Sequence, residues 1–298
     1  MVLRPGRTYV TDGGMETTLI HRQGFELPCF AAFALLDEER GVEALRSYFR
    51  PYLAVAREHG VGIVLDAPTW RASADWGAQL GYSAEALEDV NRRGVALVRE
   101  LGDDVVVCGA VGPRGDAYRP GGLMTPDEAE AYHRPQVETL ADAGADMVSA
   151  LTLAYAEEGV GIARAARAAG IPCSISFTVE VDGRLPSGQP LRDAVEQVDR
   201  ESDGAPDFFM VNCAHPTHIA RALGDDGAWR GRIGGIRANA SAKSHAELDE
   251  SDELDDGDPV ELAAATAELY PLLPGLAVVG GCCGTDERHI AQLCATLA

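Results

Sequence analysis

Short runs of β-branched and other apolar residues recur along the chain, and stretches with a helical spacing of apolar positions separate them. This alternation is typical of parallel β-strands joined by helices. The runs that have the length and composition of a buried strand are 9–14, 62–67, 105–111, 145–151, 172–179, 208–213, 233–238 and 276–281. Because both signals continue over the whole length, we predict one α/β domain covering residues 1–298.

The clearest helical stretches carry start signals. Ser83 opens a helix predicted over 83–101, and Pro126 stands at the first helical position of another over 125–143. Further helices are predicted at 157–169, 191–201, 216–223, 259–273 and 286–297. Eight strand–helix units in 298 residues predict a single (β/α)8 TIM barrel, a fold of about 250 residues plus insertions. The alternative is an open doubly wound sheet, although the DGGMET segment lacks the dinucleotide-binding G-x-G-x-x-G spacing.

The charge balance excludes several classes of partner. The chain has 47 acidic and 25 basic side chains, and its formal net charge is -22. Nucleic acids and anionic membranes are bound largely through Lys and Arg, so a field of this sign repels both. Lys243 is the single lysine and lies in a polar loop. Mechanisms that need a Schiff-base lysine are therefore set aside.

Sequence signals for a membrane span or for secretion are missing. No stretch approaches the roughly 18 apolar residues of a membrane span, and the N-terminal residues contain no long apolar run. The 7 cysteines are odd in number and scattered, unlike the disulfide framework of a small secreted domain. We therefore expect a soluble, cytoplasmic protein with reduced thiols.

The acidic residues are concentrated as well as abundant. The segment 247–258, between the seventh strand and its helix, is predicted to be an acidic, solvated loop. A calcium site is the lesser alternative, because the spacing of the acids fits no EF-hand. An excess of carboxylates with one lysine is typical of proteins from a high-salt cytoplasm, although a GC-rich genome also explains the shortage of lysine.

The candidate chemistry lies where predicted strands end, because the active sites of such barrels lie at the carboxyl ends of the strands. Strand six ends at Cys213, and strand eight runs into Cys282 and Cys283. Three thiolates with an open fourth position suit a catalytic zinc ion, since structural zinc sites normally close all four positions with protein ligands. Flanking glycines let the backbone leave the strand so that both adjacent sulfurs can face one ion. A thiol substrate bound there would be a thiolate at neutral pH, which predicts thiol alkylation.

Four segments are distinctive: TDGGMETTL at 11–19, SFTVEVDGRLPSGQPL at 176–191, FMVNCAHP at 209–216 and VVGGCCGT at 278–285. Together they resemble the homocysteine S-methyltransferase family over nearly the whole chain, and N-C followed by G-G-C-C-G-T is a specific combination. The resemblance implies a (β/α)8 barrel in which Cys213, Cys282 and Cys283 bind Zn2+. It also implies that Asp12 helps to hold the amino-acid end of homocysteine. The backbone N–H groups of Gly13 and Gly14 would then donate hydrogen bonds to the carboxylate of homocysteine.

The reaction implied by the resemblance moves a methyl group from a sulfonium donor to homocysteine and gives methionine. S-methylmethionine and S-adenosylmethionine are the expected donors, because methylcobalamin-dependent synthesis needs further modules and betaine-using relatives carry a C-terminal extension. Trp70 and Trp76 suit loop packing or contact with a sulfonium cation. The oligomeric state cannot be predicted from the sequence.

Other functions stay open at this point. The same zinc–thiolate chemistry could serve another thiol acceptor, and a zinc storage or sensor protein would bind the metal without turnover. A phosphate-ligand barrel without zinc would use the amides of Gly234-Gly235 and Gly280-Gly281 after strands seven and eight.

One position departs from the family pattern. Members that act on homocysteine carry a glutamate near the end of strand four that is thought to hold the substrate amine, and Leu151 stands in its place. A buried ammonium without this partner loses a charge-assisted bond worth about 1.5 to 3 kcal/mol. Either Asp12 acts with another acid, or the acceptor is not homocysteine. The candidate replacements are Glu16, Asp66, Glu157 and Glu158.

Two further polar groups have alternative interpretations. Cys213, His215 and His218 also have a ligand-like spacing, but the histidines are predicted to enter the following helix, and Cys282 and Cys283 would then have no role. Asn239, at the end of the seventh strand, suits either a turn or a hydrogen bond to a zinc ligand or to the substrate.

We expect the melting temperature to rise from low to molar potassium chloride. The physical reason is the net charge of -22, since salt screens repulsion between like charges beyond about 10 Å at 0.1 M ionic strength. Thermal melts over this range measure the effect. A melting temperature that stays constant or falls would remove the inference of a high-salt habitat.

Overall fold

Parallel strands pair in sequence order and close into a barrel in the computed structural model, which describes residues 2–224, 226–250 and 253–297. The strands are β1 Tyr9–Val10, β2 Gly62–Asp66, β3 Val105–Val111, β4 Met147–Leu153, β5 Cys173–Phe177, β6 Phe208–Ala214, β7 Ile233–Ala238 and β8 Val278–Gly281. Pairing of β1 with both β2 and β8 leaves no sheet edge. The predicted (β/α)8 barrel is confirmed, and the open-sheet alternative is wrong.

Helices connect the strands around the outside of the barrel. They are α1 Met15–His21, α2 Glu39–Glu58, α3 Ala74–Gln79, α4 Ala84–Arg99, α5 Pro126–Asp142, α6 Ala156–Ala169, α7 Leu191–Glu201, α8 Pro216–Leu223, α9 His245–Asp249, α10 Pro259–Ala267 and α11 Glu287–Leu297. The start signals work as expected: Ser83 Oγ accepts a hydrogen bond from the Ala86 N–H, and Thr125 forms a capping box with Glu128. Across the described ranges, no helix is long and apolar enough to cross a membrane.

Proline accounts for one difference from the predicted helices and accompanies another. The predicted helix 259–273 ends at Ala267, because Pro271 lacks an N–H and its ring would clash with the carbonyl four residues earlier. By contrast, α2 has no counterpart among the predicted helices and contains Pro51. Its apolar face, which includes Phe49, is buried in the core, so tertiary packing stabilises a helix despite the proline.

The first strand is shorter than predicted. The strand ends at Val10, and backbone hydrogen bonds to β8 continue only to Asp12, whereas the predicted strand continued to residue 14. Gly14 is already the residue that precedes α1, so the chain turns out of the barrel directly after Asp12. This early exit places the DGG segment at the carboxyl end of the barrel instead of inside it.

The core has two layers. One lies between the barrel and the helices and includes large buried side chains such as Phe33, Phe177 and Leu65. The other fills the barrel lumen and includes Met147 and Met210. The cavity that remains in the lumen measures only about 10 Å³. A packed lumen leaves no room for a ligand, so a substrate site must lie at one end of the barrel.

The acidic segment 247–258 is more structured than the predicted loop in the part that the structure describes. Its first residues belong to α9, because Ser244 and Glu247 form a capping box. Asp256 forms ion pairs with Arg22 and Arg288, and the Asp258 carboxylate accepts hydrogen bonds from the first turn of α10. Residues 251 and 252 lie outside the described residues.

Candidate metal and substrate site

Three cysteine sulfurs lie together at the carboxyl ends of β6 and β8. Cys213 Sγ is 2.8 Å from Cys282 Sγ and 3.5 Å from Cys283 Sγ, and all three lie within 4.8 Å of one another. Among the described residues, this is the one group of three or more side chains placed to hold a metal ion. His215 and His218 are not part of it, so the alternative Cys-His-His ligand set is not supported.

Local backbone geometry turns the sulfurs toward one another. Cys213 has a φ of 56°, and the pairing of β6 with β7 shifts register at this point. β8 ends at Gly281, and the Thr285 N–H donates to the Cys282 carbonyl at 3.1 Å, which closes a turn. Gly284 in this turn has a φ of 80°, a conformation that favours glycine. Cys282 and Cys283 therefore escape the strand geometry that would point them to opposite faces.

Asn212 ties the neighbouring strand ends to the cysteine cluster. Its Oδ1 accepts hydrogen bonds from the Thr152 N–H at 2.8 Å and from Ser176 Oγ at 2.6 Å. Its Nδ2 donates to Thr152 Oγ1 at 2.7 Å and lies 3.9 Å from Cys282 Sγ. The asparagine of the N-C motif thus holds β4, β5 and β6 in fixed positions beside the sulfurs.

The three thiols differ in acidity. Hydrogen bonds from Cys282 and then Cys283 hold the pKa of Cys213 well below its ordinary value. The thiols of Cys282 and Cys283 donate hydrogen bonds to Cys213. This raises the pKa of Cys282 to about 12 and that of Cys283 well above its ordinary value. The protein alone therefore stabilises one thiolate in the cluster, and a cation is needed to ionise all three. A set of three sulfur ligands suits zinc or another metal that prefers thiolates.

The sulfurs open onto a cavity of about 410 Å³, a size typical of small-molecule sites. Every residue predicted for the site lines it: Asp12, Gly13, Gly14, Asn239, Cys213, Cys282 and Cys283. Leu151, where the sequence resemblance predicts a glutamate, also lines the cavity and is 7% exposed. The residues predicted from distant parts of the sequence thus meet in one place.

The carboxylate of Asp12 is already engaged by the protein. Asp12 Oδ1 accepts a hydrogen bond from Arg237 Nη2 at 2.7 Å, and Oδ2 accepts one from Tyr48 Oη at 2.9 Å. Arg237 also forms an ion pair with Asp66. Burial raises the pKa of Asp12 to about 7, and the charge of Arg237 opposes this rise. Asp12 is therefore the partner of an internal cation, which weakens its predicted role as the counter-ion of a substrate amine.

The glycines of the DGG segment allow close packing. The Gly14 N–H donates to the Thr285 carbonyl at 3.0 Å, and a Cβ on Gly14 would lie 2.6 Å from the Cys282 carbonyl oxygen. Gly14 therefore holds the segment against the cysteine turn. Its amide is used within the protein, which corrects the expectation that this amide receives the substrate carboxylate.

Asn239 offers a free acceptor to the cavity. It is 3% exposed, and its Oδ1 is buried without a hydrogen-bond partner. A buried acceptor without a partner costs roughly 1 to 3 kcal/mol. A donor from a bound ligand would remove that cost, so the geometry suits a substrate contact better than a turn role alone.

Arg71 and Arg237 are site residues that the sequence analysis did not name. Arg237 interrupts a buried apolar strand, and a cation at such a position was the signal that could have revealed it. The Arg71 guanidinium stacks between Trp70 and Trp76, 4.1 and 3.8 Å from their ring centres. These two rings therefore contact a cation of the protein, and the contact with a sulfonium donor stays a prediction.

Tyr118 and His245 form part of the cavity wall. Their rings stack with centres 3.7 Å apart, and the Tyr118 hydroxyl helps to lower the pKa of Cys213. Both residues lie outside the strands, in the chain after β3 and at the start of α9. Their contribution depends on how two connections fold over the barrel end, and no sequence pattern revealed it.

Comparison with known proteins decides the family. The family model described as homocysteine S-methyltransferase matches residues 9–297. The chain belongs to the homocysteine S-methyltransferase family. The resemblance of the four sequence segments is thus confirmed, and the protein is an enzyme of the S-methyltransferase class.

Individual relatives share this family at low identity. The chain is 22% identical to homocysteine S-methyltransferase YbgG of Bacillus subtilis, over 96% of this chain and 93% of the relative. It is 24% identical to homocysteine S-methyltransferase 4 of Zea mays, over 98% of this chain and 90% of the relative. The crystal structure of the Escherichia coli homocysteine methyltransferase MmuM in its metallated form superposes with a TM-score of 0.76 at 23% identity, covering 98% and 96% of the two chains. This likeness shows the shared fold.

The phosphate-binding alternative does not agree with the glycine positions. Gly234 and Gly235 lie inside β7 instead of following it, and Gly235 pairs with Val278 in the sheet. The Gly281 N–H donates to the Asp12 carbonyl at 3.1 Å. The Gly281 amide thus serves the barrel itself, and Gly234 and Gly235 lie within a strand, so these positions do not favour a phosphate site.

Replacing Arg237 with methionine should destabilise the fold. The substitution leaves the buried carboxylates of Asp12 and Asp66 without their cation, and removing one partner of a buried ion pair costs roughly 3 to 5 kcal/mol. Urea unfolding at neutral pH measures the loss. Arg50→Met is the matched control, because it breaks an exposed ion pair with Glu43 and should change stability much less. Equal effects of the two variants would contradict a structural role for the buried triad.

Proposed function

We propose that the protein is a zinc-dependent methyltransferase that moves a methyl group from a sulfonium donor to homocysteine and so forms methionine. The observation that carries the proposal is the convergence of three cysteine sulfurs on a cavity in a member of this family. The donor would be S-methylmethionine or S-adenosylmethionine. The relatives YbgG and MmuM are both named for methyl transfer to homocysteine, which supports the same acceptor here.

The residues present fit a zinc ion. Cys213, Cys282 and Cys283 provide three sulfur ligands, and the cavity beside them leaves the fourth position open to a ligand. When bound, zinc lowers the pKa of a coordinated thiol and so supplies a thiolate at neutral pH. The metallated form of MmuM supports a metal in this family, and the sulfur ligands make zinc the proposed ion.

The side chains around the cavity would hold and orient the reactants. Asn212 fixes the strand ends beside the sulfurs, and the Asn239 Oδ1 is available to an ammonium donor. The acceptor thiol releases its proton to solvent, and its sulfur attacks the donor methyl carbon in line. A new C–S bond forms while the donor C–S bond breaks. The donor leaves as a neutral thioether, so no acid is needed, and catalysis rests on positioning and on thiol ionisation.

A second acceptor class is favoured by one observation. Leu151 places an aliphatic side chain in the cavity at the position of the family acid. A thiol without an amine would bind there without losing a charge partner. Thiol carboxylates are therefore the alternative acceptors.

Methyl transfer can be tested directly with zinc-loaded protein. We expect methionine to form from homocysteine with S-methylmethionine or S-adenosylmethionine, as measured by mass spectrometry of both products. A donor carrying a deuterated methyl group shows that the methyl group itself moves. Preference for 3-mercaptopropionate over homocysteine would support the alternative acceptor. Absence of transfer to every thiol in the panel would contradict the proposed function.

Metal analysis tests the ligand set. We expect about one zinc ion per chain, and Cys282→Ala should remove most of the metal and the activity because one of three sulfur ligands is lost. His215→Ala is the control, since His215 lies near the sulfurs in sequence but outside the cluster. Full zinc content in Cys282→Ala together with loss in His215→Ala would show that the ligand assignment is wrong.

A further inference from the structure

The missing acid at Leu151 raises the question of which charge meets the amine of an amino-acid substrate. Of the four candidate replacements, Glu157 and Glu158 do not line the cavity. The Glu158 carboxylate is 2.9 Å from His133 Nε2, and it accepts a hydrogen bond from the Arg114 N–H at 2.8 Å. These two acids are therefore not available to a substrate.

Asp66 and Glu16 do line the cavity, and their surroundings differ. Asp66 shares the Arg237 guanidinium with Asp12, so its carboxylate is already engaged within the protein. Glu16 lies in the first turn of α1 and is partly buried. Apart from its own backbone N–H, its carboxylate has no hydrogen-bond or ion-pair partner in the part of the chain that the structure describes. A carboxylate left in this state inside a cavity is suited to an external cation.

Arg71 is the complementary group. It is 7% exposed, and its stacking between two indoles fixes the guanidinium in one position. Its Nη1 donates to the Gly115 carbonyl at 3.1 Å, while the buried Nε has no partner. Within the described residues, no carboxylate lies at ion-pair distance from Arg71. The structure thus presents a buried guanidinium with an unused donor at the cavity.

The two charges face the same cavity without neutralising each other. Glu16 and Arg71 influence each other electrostatically, and the Asp116 carboxylate also acts on Arg71 through space, but no ion pair joins any of them. A carboxyl group and a guanidinium that line one cavity without forming an ion pair match the ammonium and carboxylate of an α-amino acid. Burial raises the pKa of Glu16 to about 7, and a bound ammonium would favour its ionised form. The first turn of α1, which carries Glu16, contacts the cysteine turn, because the Gly284 N–H donates to Thr17 Oγ1 at 3.3 Å.

We propose that Glu16 and Arg71 bind the ammonium and the carboxylate of the amino-acid acceptor, in place of the family acid that Leu151 replaces. The inference rests on the proposed function, because the acceptor sulfur must bind next to Cys213, Cys282 and Cys283. Because the first turn of α1 contacts the cysteine turn, Glu16 lies on the side of the cavity where the acceptor sulfur must bind, which assigns the pair to the acceptor and not to the donor. Both residues are positioning groups that select the acceptor by its charges.

Three acceptors separate the two contacts. Homocysteine carries both charged groups, 4-mercaptobutyrate lacks the ammonium, and 3-aminopropane-1-thiol lacks the carboxylate. In Glu16→Gln, we expect KM to rise about tenfold or more for homocysteine and the aminothiol, with little change for 4-mercaptobutyrate. In Arg71→Met, the rise should affect homocysteine and 4-mercaptobutyrate and spare the aminothiol.

Binding without turnover provides an independent readout. Calorimetric titration of the three thiols into zinc-loaded protein, without any methyl donor, should show the same pattern of weakened affinities. Glu26→Gln and Arg4→Met are matched controls at exposed positions and should bind all three thiols like the parent. Leu151→Glu added to Glu16→Gln should restore the preference for an ammonium. Thermal melts check folding, and the nearly isosteric Glu16→Gln carries the test alone if Arg71→Met unfolds.

The outcomes separate this inference from the proposed function. Equal weakening of all three thiols by Glu16→Gln, or a change confined to the donor KM, would overturn the acceptor assignment. If the parent methylates none of the thiols, the proposed function fails. The calorimetric preference for homocysteine still decides whether Glu16 and Arg71 recognise the charged amino-acid end.

Discussion

Three thiols whose sulfurs lie within 4.8 Å of one another cannot all lose their protons unless a cation compensates their charges. This constraint explains the construction of the barrel end. Cys213 takes a left-handed conformation, and the chain leaves β8 at Gly281 so that the next two sulfurs point toward it. The Asn212 side chain then holds the ends of β4, β5 and β6 in fixed positions beside the sulfurs. Holding the backbone in this geometry costs conformational entropy. The free energy of binding a metal ion would offset that cost.

The packed lumen and the cluster together decide where a substrate can bind. Side chains such as Met147 and Met210 fill the barrel, and the free space lies above them in the cavity beside the sulfurs. Asp12, Asp66 and Arg237 form the charged layer at its base, where one guanidinium pairs with both carboxylates. A substrate in this cavity would therefore meet carboxylates already engaged by Arg237 at the base, three sulfurs on one side, and the proposed contacts with Glu16 and Arg71.

The proposed site would keep three sulfur ligands while its substrate contacts change at Leu151 and Asp12. Three cysteines that bind one ion would tolerate little variation in position. An ammonium can be held by any carboxylate that reaches it, and the required charge can move from β4 to the start of α1 without altering the barrel. Family membership at 22–24% identity is compatible with such a rearrangement.

The sequence by itself determined the barrel and the meeting of its motifs. Alternating apolar patterns locate the strands, and parallel strands that close in order bring Asp12, Cys213 and Cys282 to one end. Only the tertiary structure decided which side chains contact the buried charged groups of the site. Arg237 reaches Asp12 across 225 residues of sequence, and Arg71 stacks on Trp76, which lies in the following helix α3. Periodicity encodes burial along one element, whereas the pairing of two buried charges depends on side-chain contacts between distant elements, and a pattern along the chain does not encode those contacts.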